Sequence, residues 1–496
     1  MNPGQQSSGD SAAQAFEIAQ AHQRAGRLSE AIDAIGRAIA LRPTVAEYHA
    51  QLGEFLRLAG KLEPSLSSSR RAIELKPDDP LIHNSFGIAL SVAGKFDEAI
   101  VHFRRAINLN GDFAAAYSNL GGALRETGRL EETVVAMRSA LGLNPNLPQL
   151  YINLGMTLTD LGEIDQAMAT YDQCLSINPN FPRAHWNRSL LYLLRGDFPR
   201  GWAEYEWRWR FPESMKNRRY AQPRWEGGAL QGKTIYIYPE QGFGDMMQFL
   251  RFLPEVTARG GKIVLESPPE LLRLFQKQPG VERIVLAGET PAAFDVHCPL
   301  LSLAGILGAT AQSIPGNTGY LKTDEELVRK WGERFDGRDD RLRVGLAWAG
   351  RPTHNSDRKR SMKLAEFGPL ASVGGVAFYS LQKGDAAAQA AQPPPGLPLV
   401  NWTAELTDFA ETAALIQHLD LIVSVDTAVV HLAGAMGKPV WVLLSRIPDW
   451  RWMLDREDSP WYPTVRLFRQ RETGKWQEAI DRLREALSER ARFASR

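Results

Sequence analysis

Cysteine is nearly absent: Cys174 and Cys298 are the only two in 496 residues, which excludes a disulfide framework and a cysteine-built zinc site. Net charge is nearly absent too. The 58 lysines and arginines against 57 aspartates and glutamates leave a formal +1, so the chain has no electrostatic footprint for nucleic acid or an anionic membrane. No apolar run reaches the roughly 18 residues that a membrane-spanning helix needs. The first residues are polar, without the basic start and apolar stretch of a signal peptide, and residues 1–11 are expected to be disordered. These absences point to a reducing, cytoplasmic setting. The length exceeds what one hydrophobic core supports and predicts about three domains.

What the chain does have is a period. Gly26, Gly60, Gly94, Gly128, Gly162 and Gly196 follow one another at intervals of 34 residues. Ala38, Ala72, Ala106, Ala140 and Cys174 form a small-residue column, and Pro43, Pro77, Pro145 and Pro179 another, with Gly111 filling the gap. A further column, Gly53, Gly87, Gly121 and Gly155, is followed three residues later by Leu56, Leu90, Leu124 and Leu158. The first glycine column lies between amphipathic segments, the small columns let paired helices approach, and the prolines end each second helix. This pattern resembles the tetratricopeptide repeat, a helix–turn–helix unit. It predicts an all-α solenoid of six repeats over residues 12–210.

In the sixth unit the small-residue column holds Arg208, inside the aromatic run 201–210. Its tryptophans are expected to cap the array and pack against the next domain, the alternative being ligand stacking. Asn119, Asn153 and Asn187 stand in register, continued by Ser85 and Gln51. A ladder of amides offers donors and acceptors to a peptide backbone, so the array is expected to hold a protein or peptide in its groove. The column resembles the asparagine ladder of protein O-GlcNAc transferases, and the competing reading is that these amides bond within the solenoid.

After a linker over 211–232, short β-branched runs alternate with helical stretches. One series is predicted over 233–325 and a second over 342–496. Alternation of this kind means parallel sheets, and two series mean two Rossmann-like α/β lobes with a ligand cleft at the strand ends. Residues 386–395, rich in alanine and glutamine and ending in three prolines, read as a surface loop.

Three strand ends carry chemistry. Gly242 and Gly244 allow a close backbone approach where a helix opens, and Asp245 is placed either as a general base for an acceptor hydroxyl or as a helix cap. Asp426 and Thr427 make the turn from a buried run into a helix whose free N–H groups suit a pyrophosphate, with His431 one turn further on. Asp426 reads equally as a helix cap and His431 as a structural residue. Arg358 and Arg360 lie in a basic turn after the first strand of the last lobe, where guanidinium groups suit a diphosphate.

Together these segments resemble the family-9 glycosyltransferases, the group of the ADP-heptose:lipopolysaccharide heptosyltransferases, over about 233–470. The most specific match is Asp426-Thr427, His431-Leu432-Ala433 and Gly437 to Val440, followed by Gly244-Asp245. The resemblance implies a GT-B fold with the acceptor on the first lobe and the nucleotide-sugar on the second. It implies an inverting, metal-independent transferase with no cofactor, Asp245 as catalytic base, and Arg360, Asp426, Thr427, residue 428 and His431 around the donor phosphates. Ala428 stands where that family has glycine, which would be strained if the turn required a positive φ. Family-9 enzymes lack repeat arrays, and the layout is instead similar to that of O-GlcNAc transferases. The stretches 378–383, 448–452 and 461–463 resemble those of bacterial repeat–transferase fusions, which places Gln382 and Lys383 in the donor cleft. The alternative function is a repeat scaffold or sensor with a non-catalytic nucleotide-sugar site.

Overall fold

The computed structural model describes residues 3–211, 220–289, 291, 293–316, 319–335, 340–353 and 357–494. The chain divides into two compact units, Met1–Asn187 and Arg188–Arg496.

The first unit is built from the antiparallel helix pairs of the solenoid. Among the described residues twelve helices run from Pro3 to Tyr205, and the sixth pair is divided between the units. The first helix already begins at Pro3, inside the stretch 1–11 for which composition implied no structure. The period has a clear cause. Gly26, Gly60, Gly94, Gly128, Gly162 and Gly196 all adopt φ between +73° and +82°, a left-handed conformation open to a residue without Cβ. Each lets the next residue's N–H close back across the turn, as in Lys61 to the Leu56 carbonyl at 2.8 Å and Glu163 to Leu158 at 2.9 Å.

Close packing explains the other glycine column. A Cβ on Gly87 would lie 2.5 Å from the Phe103 ring, and one on Gly121 2.6 Å from Met137. A further device recurs at residues 49, 83, 151 and 185. The imidazoles of His49, His83 and His185 and the phenol of Tyr151 bond the carbonyls of Pro43, Pro77, Pro179 and Pro145, six residues earlier, at 2.8 to 3.0 Å. It ties the first helix of four repeats to the loop before it.

The second unit holds two parallel sheets. In the first the strands β1 (Thr234–Tyr238), β2 (Lys262–Ser267), β3 (Val281–Leu286) and β4 (Val296–Pro299) take the order β3-β2-β1-β4. In the second, β5 (Leu342–Ala347), β6 (Val376–Ser380), β7 (Leu399–Val400), β8 (Leu421–Val425), β9 (Val440–Leu444) and β10 (Val465–Arg469) take the order β10-β9-β8-β5-β6-β7. β6, β8 and β9 are buried throughout, which is why they read as continuous apolar runs. The core of this lobe joins Val344, Leu346, Trp348, Phe367, Phe378 and Val423 to Ile480 and Leu483 of the last helix, Gln477–Ala494. These are two α/β lobes of GT-B type.

The aromatic run near 205 is structural within this unit. Trp202 donates to the Ala309 carbonyl at 2.8 Å and packs on Phe198, Phe249 and Trp450 at 5.7, 6.3 and 5.4 Å between ring centres. Arg208 is 5% exposed and binds Glu240 at 2.6 Å, Glu206 at 2.7 Å and the Ser302 hydroxyl at 2.7 Å. A large charged residue replaces the small one of the repeat because its partners are carboxylates of this unit.

Candidate functional site

Sheet topology decides where a ligand has room. In the first sheet the order reverses between β1 and β4, and in the second between β5 and β8, and in parallel sheets ligands bind beyond the carboxyl ends of the strands at such reversals. The segments after β1, β5 and β8 are those carrying Asp245, Arg360 and Asp426-Thr427.

After β1 the chain turns through Gly242 into the helix Phe243–Phe249. Asp245 sits in its first turn and accepts the Gly242 N–H at 2.8 Å, so the carboxylate caps the helix whatever else it does. Its other oxygen pairs with the guanidinium of Arg451. Beside it, a Cβ on Gly244 would come within 2.6 Å of the His431 ring. Only glycine lets the two lobes' motifs approach this closely.

After β8, Thr427 is the extended residue before the helix Ala428–Ala435, and its hydroxyl lies 3.0 Å from that of Ser424. Ala428 opens this helix and is not among the described non-glycine residues with positive φ, so alanine in place of glycine brings no backbone strain. His431 is 6% exposed, with Nδ1 3.0 Å from the Tyr462 hydroxyl and its ring stacked on Trp452 at 5.6 Å. Burial, with Arg451, Arg251 and Arg360 near, holds its pKa well below the usual imidazole range, so the ring is neutral. Asp426 lies 3.9 Å from His431 Nε2. Burial and the neighbouring Asp449 push its pKa up to about 6, against the pull of Arg360 and Arg451.

Arg360 ends the short helix Asp357–Arg360 and lies 3.8 Å from Asp357. Its Nε is buried and makes no hydrogen bond to the described residues. Residues 354–356 of the same basic turn lie outside the described residues. Arg358 is exposed.

Gln382 is buried and spends its amide on the β5 loop. It accepts the N–H groups of Trp348 and Ala349 at 2.8 Å each and donates to the carbonyls of Ala349 and Lys383 at 2.9 and 2.8 Å. It shapes the loop that leads to Arg360. Lys383 is exposed and donates to the Thr403 carbonyl at 2.8 Å.

In the first unit the amide column divides. Asn119 donates to Asn84 at 2.9 Å, and Asn153 accepts from Gln149 at 3.1 Å. The buried Nδ2 of Asn187 has no hydrogen-bond partner among the described residues. The helices carrying Asn119 and Asn153 adjoin one another along the array.

Arg451 is the residue that sequence reasoning passed over. It lies in the turn 450–452, is 6% exposed, and also binds Gln248 at 2.6 Å and Asp449 at 2.7 Å. Burial opposes its charge, but Asp245 and Asp449 outweigh that and raise its pKa. Among the described residues no three His, Cys, Asp or Glu side chains are grouped to hold a metal ion, and no helix is long and apolar enough to cross a membrane.

Comparison with known proteins follows this division. The family described as "Glycosyltransferase family 9 (heptosyltransferase)" matches residues 374–475, which hold Gln382, Asp426, His431 and Arg451. Tetratricopeptide repeat models match residues 16–80, 93–125, 114–147 and 148–181. Protein FlbA of Caulobacter vibrioides is 29% identical over 321 residues, which is 60% of this chain and 53% of that protein. The chain thus spans about half the length of the curated relative it matches. Among solved structures, MamA of Desulfovibrio magneticus is 20% identical over 34% of this chain and 96% of its own, with a TM-score of 0.33. The Pseudomonas aeruginosa PilF structure is 17% identical over 42% of this chain and 96% of its own, with a TM-score of 0.38. YrrB, described as a TPR protein with an unusual peptide-binding site, is 19% identical over 37% and 95%, with a TM-score of 0.32. The chain joins tetratricopeptide repeats in its N-terminal region to a C-terminal domain of glycosyltransferase family 9 type.

Proposed function

We propose that this chain is an inverting, metal-independent glycosyltransferase that uses a nucleotide-sugar, with the repeats recruiting a protein or peptide acceptor. The observation that carries the reading is the meeting of two strand ends from different lobes, Gly244-Asp245 against His431. It supports a carboxylate acting beside a loop suited to phosphate. The donor diphosphate would lie against Arg360 and the start of the helix at Ala428, where free N–H groups and the helix dipole favour an anion. Asp245 would take the proton of an acceptor hydroxyl. The hydroxyl oxygen would then form its bond to the anomeric carbon as the carbon–oxygen bond to the diphosphate breaks. Inversion follows from that single displacement, and the leaving group departs as a nucleoside diphosphate stabilised by Arg360 and the helix dipole. Neutral His431 adds no charge there and supports the loop.

A second reading, a repeat scaffold with a non-catalytic nucleotide-sugar site, is favoured by one observation: Asp245 is held by Arg451. A thermal-shift panel of ADP-, UDP-, GDP- and dTDP-linked sugars on the wild type and Asp426→Ala tests whether a donor binds at all. A donor at 100 times its Kd stabilises the native state by about 2.7 kcal/mol. One donor class is expected to raise the melting temperature, with a smaller rise in the variant. No shift with any donor would overturn the donor site.

A further inference from the structure

The guanidinium of Arg451 is committed to three partners at once: the Asp245 carboxylate, Asp449 at 2.7 Å and the Gln248 amide at 2.6 Å. It is also the cation shared by both halves of the site, since its charge acts on Asp426 and His431 while its hydrogen bond is to Asp245. The charges do not favour a dianionic diphosphate as they stand. Asp245, Asp426, Asp449 and Asp357 stand about Arg451 and Arg360, and both cations already face carboxylates, Arg451 those of Asp245 and Asp449 and Arg360 that of Asp357. A diphosphate entering beside Asp426 must recruit a further cation or meet uncompensated repulsion. Meanwhile a carboxylate whose oxygens are held by a guanidinium and the Gly242 N–H is poorly placed to receive an acceptor's proton. A single movement answers both needs.

Met453, two residues beyond Arg451, holds φ of +52° with ψ of −175°, a strained conformation for a residue with a Cβ and one that clusters at switch segments. Trp452, between the two, is stacked on His431, so a shift of this turn would reach the donor loop.

We propose that Arg451 is a two-position residue, paired with Asp245 in the empty site and turned to the donor diphosphate when it binds, so that donor binding releases the base. This rests on the transferase reading above. It makes Asp245 and the diphosphate competitors for one guanidinium, and competition has a distinctive signature. Removing the carboxylate strengthens binding of the anion, but only while Arg451 is present.

The test is a calorimetric titration of the full chain with UDP, ADP, GDP and dTDP, using wild type, Asp245→Asn, Arg451→Met and the double variant. For the nucleoside diphosphate that binds, Asp245→Asn is expected to tighten Kd about three- to tenfold and Arg451→Met to weaken it about tenfold or more. In the Arg451→Met background, Asp245→Asn changes Kd less than about twofold. Arg451→Lys, which keeps the charge but not the fork of donors, is expected to bind between wild type and Arg451→Met, and this variant guards against a folding defect in Arg451→Met. Equal tightening by Asp245→Asn in both backgrounds would mean plain repulsion and overturn the switch. Arg451→Met binding as well as wild type would also overturn it. If the wild type binds none of the four, the donor site itself fails and the switch with it.

Discussion

Asp245→Asn is expected to slow sugar transfer about a hundred- to ten-thousandfold, the span ascribed to a positioned general base, while the protein stays folded. The amide has the shape of the carboxylate and keeps an oxygen for the Gly242 N–H, so the helix Phe243–Phe249 retains its cap. What it lacks is a basic lone pair able to take the acceptor's proton. Rates with a saturating donor, alongside circular dichroism and melting curves, separate a chemical defect from a folding one. A variant that transfers within about threefold of wild type would remove Asp245 from the chemistry. Its role would then be the helix cap and the pairing with Arg451.

Arg208→Met is expected to lower unfolding stability by about 3–5 kcal/mol, the usual consequence of removing one partner of a buried ion pair. Glu240 would keep its charge in a side chain 8% exposed and lose the guanidinium that binds it at 2.6 Å. Glu206 and the Ser302 hydroxyl would lose the same partner. Burial tends to raise the pKa of Glu206, but Arg208 and Arg224 outweigh it and hold it below the ordinary glutamate range. A depressed folded-state pKa contributes stability above the unfolded value, near 4.3, and that contribution fades as pH falls through the folded value. Urea unfolding at pH 7 is therefore expected to show the full difference between wild type and variant, and unfolding near pH 3 a smaller one. A loss under about 1 kcal/mol at pH 7 would show that the network is not a stabilising element.

The repeat array was legible because its causes are local. A left-handed turn every 34 residues demands glycine, and a helix packed against the Phe103 ring demands it again at Gly87. The strands of the second unit were legible as buried runs for the same kind of reason. The site was legible in part, since Asp245, Asp426 and His431 each stand where a strand hands over to a helix, a position visible in one dimension. What stayed hidden were pairings across long separations. Arg451 lies 206 residues from Asp245, and nothing in its own neighbourhood announces the partner. Separation in sequence likewise concealed that Gln382 spends its amide on the β5 loop, 33 and 34 residues away. The asparagine column shows the limit from the other side. Register placed Asn119, Asn153 and Asn187 on one line, but Asn84 and Gln149, outside that column, take up two of them.

Phosphorus NMR of the wild type with the nucleotide-sugar that shifts its melting is the most direct test of a transferase. Growth of the terminal phosphate signal of a nucleoside diphosphate is expected, at a rate that rises with acceptor and falls in Asp245→Asn. A donor that binds but keeps its diphosphate signals unchanged, with acceptor present, would contradict catalysis and leave a repeat protein that binds a nucleotide-sugar without turning it over.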